Sequence, residues 1–74
     1  MIYRITLTPT DAGWALRAPE LAGELAFLSG ARAEAAGRDL AARLARAGRT
    51  VELHIVLRNG EVAATVLYPA AQAA

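Results

Sequence analysis

Five arginines, Arg32, Arg38, Arg43, Arg46 and Arg49, crowd into one stretch of this chain with only Glu34 and Asp39 to oppose them. The local excess is +3. A guanidinium stays charged at any physiological pH and grips phosphate or carboxylate through paired N–H donors, so the chemistry on offer is contact with nucleic acid or an acidic partner. The competing reading is a solvated helix face. Glu34 precedes Arg38 by four residues and Asp39 precedes Arg43 by four, the favourable order for intrahelical ion pairs. Base-reading or stacking groups, which accompany phosphate contacts in binding faces, are missing from this stretch. All eight basic residues are arginine and alanine is abundant, which reads first as GC-rich coding. The solvated face is the favoured reading, and nucleic-acid binding through the arginines is the alternative.

Other chemistry finds little to work with. Nucleophilic catalysis needs an activated Ser, Cys, Thr or Lys beside a base. The chain has no Cys or Lys, and its one serine, Ser29, stands where a helix cap is expected. The lone histidine, His54, falls mid-strand and cannot make a zinc site by itself. Asp11, Glu20, Glu24, Glu52 and Glu61 are scattered over turns and strand ends without forming an acid-base pair. The glycines are spaced as punctuation, with no phosphate-cradling loop. No catalytic residue, metal site or cofactor is expected, so the chain is read as a non-enzyme.

The elements that must position these residues are legible. Residues 51–68 alternate strictly on both sides of Asn59-Gly60, which specifies a β-hairpin. A two-residue type I′ loop sets Arg58 opposite Glu61, Leu57 opposite Val62, Ile55 opposite Ala64, Leu53 opposite Val66 and Val51 opposite Tyr68. Residues 2–8 alternate, with Tyr3, Ile5 and Leu7 on one side. Pro9 to Gly13 supplies a turn, and Trp14, Leu16 and Ala18 share the inner side of a second strand. Residues 19–23 form a loop, and a short third strand spans Glu24 to Leu28.

From about Ala31 to Ala47 the apolar period becomes helical, and Ala33, Ala36, Gly37, Leu40, Leu44 and Ala47 fall on one face. Gly48 ends the helix. Gly37 in mid-helix costs about 1 kcal/mol against alanine, which close packing on a sheet would offset. The expected fold is a two-layer α+β domain, ββ(β)αββ, with one helix on a four- to five-stranded sheet. It occupies residues 1–69, followed by a flexible tail, 70–74, with nothing to anchor it. If the helix is a crossover, the final hairpin joins the sheet beside the first strand.

One sheet face is then left open, bearing Ile2, Ala15, Val56, Ala63 and Leu67 among Arg4, Arg17, Glu52, His54 and Thr65. Such a half-apolar face suits a second copy of the chain, and Val56, Ala63 and Leu67 are the candidate dimer face. Small size without cysteine cross-links strengthens the expectation of a homodimer. The formal charge of +1 gives no general pull toward nucleic acid or acidic membranes. Neither a secretory signal nor a membrane span is visible, so a cytoplasmic, bacterial-type domain is expected.

Gly13-Trp14, Phe27, Ala33-Glu34-Ala35, Leu40-Ala41, Glu52-Leu53, Asn59-Gly60 and Tyr68 together resemble a family of small uncharacterised bacterial domains. That likeness spans nearly the whole chain and implies a fold without an activity. The helix start departs from it by one or two extra residues, and Ser29 replaces the usual Thr cap. The first half also resembles HicB-type antitoxins, through Gly13-Trp14, Pro19-Glu20-Leu21-Ala22-Gly23 and Glu34-Ala35, with Ala22 replacing the second proline. That resemblance implies an oligomer that neutralises a small ribonuclease toxin. The family's acidic helix and added DNA-binding segment have no counterpart here. The expected function is a non-enzymatic interaction module, homodimeric through its open sheet face or an edge strand, with a toxin-like protein as a candidate partner. A small-molecule role is a lesser third option.

Overall fold

A computed structural model describes residues 2–71. Six elements follow one another: β1 (Ile2–Thr10), β2 (Gly13–Arg17), β3 (Leu25–Phe27), α1 (Gly30–Arg46), β4 (Thr50–Val56) and β5 (Val62–Tyr68). The strands form one mixed sheet in the order β3-β2-β1-β4-β5, with β1 and β4 parallel and every other pair antiparallel. The α+β expectation holds, and the hairpin after the helix does enter beside β1. No helix among the described residues is long and apolar enough to cross a membrane.

Alternation puts the core on one side of the sheet. Tyr3, Ile5 and Leu7 of β1 and Val51 and Leu53 of β4 are buried beneath α1, with Leu16 of β2 beside them. The helix contributes Ala33, Gly37, Ala41 and Leu44, while Ala36 and Leu40 are partly buried. Ala41 therefore takes the place expected for Ala47. The helix stops at Arg46, so Ala47 becomes its exposed C-cap and leaves the helical register. Gly48 at φ +94° closes the end: its N–H donates to Ala45 O and the Arg49 N–H to Leu44 O, the paired bonds of a Schellman cap. At the other end the Ser29 hydroxyl accepts from the Arg32 N–H at 3.2 Å.

Gly37 explains the close approach of the layers. A methyl group there would lie 3.1 Å from Leu53 Cδ1 and 3.5 Å from Leu7 Cδ2, against the centre of the β1–β4 pair. Gly13 is held more firmly. Its φ is +149°, and a Cβ would stand 2.2 Å from the Phe27 carbonyl oxygen on β3. The neighbouring turn is tighter than expected, because Pro9 pairs with Trp14 and Thr10 with Gly13, leaving Asp11 and Ala12 as the loop. Pro9 is tolerated in the ladder because β4 pairs with β1 only as far as Leu7, so a strand flanks it on one side alone.

The last hairpin departs from expectation at its tip. Val51–Tyr68, Leu53–Val66 and Ile55–Ala64 pair as read from the sequence. A type I′ loop requires positive φ at both Asn59 and Gly60, and only Gly60 has it, at +88°. Instead the Gly60 N–H donates to Leu57 O and the Leu57 N–H to Glu61 O, a three-residue loop of Arg58, Asn59 and Gly60. Asn59 Oδ1 accepts from the Glu61 N–H, which holds the asparagine at negative φ. The lost residue reappears as a bulge: Val56 pairs with Val62, leaving Ala63 as the extra residue. Arg58 is therefore not opposite Glu61, nor Leu57 opposite Val62. β3 is also shorter than Glu24–Leu28. The chain after β5 stays docked through residue 71, whose N–H donates to Ala45 O at 2.8 Å, so the tail expected to be unanchored is held at its start. The remainder of that tail, residues 72–74, lies outside the described residues.

Gly13→Ala should destabilise the domain by about 3 kcal/mol in urea unfolding, combining backbone strain with a clash against β3 that a side-chain rotation cannot relieve. Gly37→Val should cost about 1–3 kcal/mol through overpacking onto Leu53.

Candidate interaction surface

The two sides of the sheet differ in what they can do. On the open side, cross-strand register aligns Arg4 with Glu52 and Leu67 and Thr6 with His54 and Thr65, while Val56 pairs with Val62 beyond the end of the β1–β4 ladder. Arg4 NH2 lies 3.6 Å from Glu52 Oε1, and His54 Nε2 donates to the same oxygen at 3.0 Å, since a carboxylate can only accept. This row ties the middle of the open face together electrostatically. The hydrogen bond from His54 holds the Glu52 carboxyl below its ordinary value of 4.5; partial burial opposes the shift, and the Arg4 charge adds to it. His54 is thus a half-buried strand histidine opposite Thr65, as its sequence position implied.

Around that polar row lie the apolar side chains. Ile2 is 54% exposed, Val62 52% and Leu67 56%. Val56 is half-buried beside Val62, and Ala63 is exposed at the bulge. The candidate dimer residues Val56, Ala63 and Leu67 therefore share the open face of the outer hairpin, Val56 and Ala63 near its tip and Leu67 at the far end opposite Glu52. Ala15 belongs to the same face by register but is buried, its single methyl group lying between Thr8 and Ala26. Val62 joins the patch only because the bulge moves it from opposite Leu57 to opposite Val56, which strict alternation did not foresee.

The arginine series is dispersed and largely neutralised. At about 100° per residue, Arg32, Arg43 and Arg46 share one flank of α1, while Arg38 projects from the other. Arg38 pairs with Glu34 at 2.6 Å, Arg43 with Asp39, and Arg49 with Glu20 at 3.2 Å. Arg32 and Arg46 have no ion-pair partner among the described residues. The +3 stretch thus presents two unpaired cations, with its remaining charges already engaged.

A second cluster was invisible in the sequence. The Arg49 guanidinium lies 5.1 Å from the centroid of the Tyr3 ring, and Glu20 of the β2–β3 loop closes over it by pairing with Arg49. The Tyr3 hydroxyl is buried without a hydrogen-bond partner among the described residues, and burial raises its pKa, with the Glu20 charge adding to the effect. Sequence separations this large carry no periodic signal.

Two shallow apolar recesses remain. Thr10, Ala12, Trp14, Ala26, Phe27 and Leu28 line one at the β2–β3 edge. The other runs between α1 and β2–β3 over Leu16, Leu21, Leu25 and Leu40, rimmed by Asp39 and Arg43. Neither includes His54, and no group of three potential metal ligands occurs among the described residues. No protein-family model, curated protein or solved structure matches the chain.

The Glu52 shift has a defined pH signature. A carboxyl with a depressed folded-state pKa contributes stability that is complete above its unfolded value and is lost as pH falls through the folded value. The stability difference between the wild type and Glu52→Gln should therefore be present at about pH 6 and shrink toward about pH 3 in parallel urea titrations. A difference that stays constant over that range would show that the Glu52 carboxylate has no preferential partner in the folded state.

Proposed function

We propose that this chain is a non-catalytic interaction module that acts as a homodimer in the cytoplasm and offers its outer hairpin to protein partners. The observation that supports this reading is the uncovered outer side of β4–β5, where exposed Val62 and Ala63 adjoin Val56 near the tip and exposed Leu67 stands on the same face beyond Thr65. Burying such side chains yields about 25 cal/mol per Å², a contribution the protomer alone leaves unused. The polar row of Arg4, Glu52 and His54 is satisfied internally, so covering it leaves few unpaired charges. The likeness of the first half to HicB-type antitoxins extends the proposal to a small toxin as the protein partner. Nucleic-acid binding is the weaker reading because Arg38, Arg43 and Arg49 are committed to carboxylates of the same chain.

Light scattering over a wide concentration range should show a monomer–dimer equilibrium. Val62→Glu combined with Leu67→Glu, both at exposed positions, should shift it to monomer. A chain that stays monomeric at every accessible concentration would refute the homodimer. Salt-sensitive binding to generic duplex or single-stranded nucleic acid, abolished by replacing Arg38, Arg43 and Arg46 with Gln, would instead establish the arginine face as the functional surface.

A further inference from the structure

We infer that the free edge of β5 is the seam between two copies of this chain, which pair antiparallel about a two-fold axis at Val66 to give a continuous ten-stranded sheet. The inference rests on the homodimeric reading above and specifies its geometry. β5 is hydrogen-bonded to β4 on one side only, and alternate backbone groups along its other side face outward. Natural edge strands are commonly blunted by charge, yet Val62 to Tyr68 contains none. The helix does not shield the strand either: Ala64 is exposed although its register places it on the α1 side.

The ends of the strand select a second copy over any other occupant. The bulge residue Ala63 and the donor-less Pro69 are the ladder-breaking positions, and they lie symmetrically about Val66. A two-fold axis there superimposes them, Ala63 opposite the partner's Pro69, so both interruptions fall at the same place. Between them the side chains match in size, Ala64 against the partner's Tyr68 and Thr65 against the partner's Leu67.

Charge agrees with this arrangement. The same register carries Glu61 toward the partner's Ala71, which is hydrogen-bonded to the carbonyl of Ala45, next in sequence to Arg46. Glu61 and Arg46 both lack an ion-pair partner among the described residues. Two-fold symmetry sets each Glu61 at the end of the partner's strand that docks on the helix terminus bearing Arg46, so an unpaired anion and an unpaired cation lie at the same end of the seam. A seam of five residues per strand falls in the small-interface class, so the dimer is expected to be concentration-dependent.

The chain has no cysteine, so single introduced thiols report the contact directly. In the full chain, Val66→Cys should give a covalent dimer on mild oxidation, while Val56→Cys, one strand inward on the open face, should not. In sedimentation equilibrium, Glu61→Arg should weaken dimerisation about tenfold, and adding Arg46→Glu should restore it. Both are exposed positions, so this swap remains decisive if Val66→Cys perturbs folding. A wild-type dimer that cross-links through Val56→Cys and ignores the charge swap would overturn the edge seam and leave the interaction-module reading intact. A strict monomer would overturn both.

Discussion

The structure depends on laying two parallel strands side by side and covering both with one helix. β1 and β4 each turn alternate apolar residues to the same side, and α1, which lies between them in the chain, passes over that side. Without a side chain at Gly37, the helix axis can approach until Leu7 and Leu53 meet its backbone. The small residues Ala33 and Ala41 extend the same close contact along the helix. The intrinsic helix cost of glycine is accepted because distance matters more: van der Waals attraction decays steeply, and a gap of a methyl group would forfeit much of it.

That single covering decides how the rest of the molecule meets its surroundings. One helix shields the middle of a five-stranded sheet, so the outer strands and the whole reverse face stay available. The Arg4–Glu52–His54 row gives the reverse face a satisfied polar centre, and the β4–β5 hairpin gives it an apolar margin. A surface of that composition is suited to being covered by another protein surface. The arginines on and just after α1 present a different picture, since carboxylates four residues away or across the loop already engage Arg38, Arg43 and Arg49. Of the large apolar side chains left exposed, Val62 and Leu67 fall on the hairpin.

Much of this was legible from local pattern. Alternation located β1, β2, β4 and β5, and the change to a helical period located α1. Ser29 and Gly48 marked the helix ends because capping depends on neighbouring backbone groups alone. Where the pattern misled, a local alternative of similar cost existed. Asn59-Gly60 suits a type I′ loop, but the Asn59 side chain accepts the Glu61 N–H in the three-residue form and the strands absorb the difference as a bulge at Ala63. Ala47 left the buried face of α1 because the Schellman cap ended the helix before it, whereas Ala41 continues the buried row of Ala33 and Gly37 at four-residue spacing.

By itself the sequence determined the elements, their inner and outer faces, and the pairing of β4 with β5 over most of its length, because period, caps and turn residues act over a few positions. Only the tertiary structure decided that Glu20 and Arg49 close over Tyr3 and that residue 71 returns to the helix end. Each of those depends on residues distant in sequence meeting at one place, and such meetings are set by how the helix and sheet settle together.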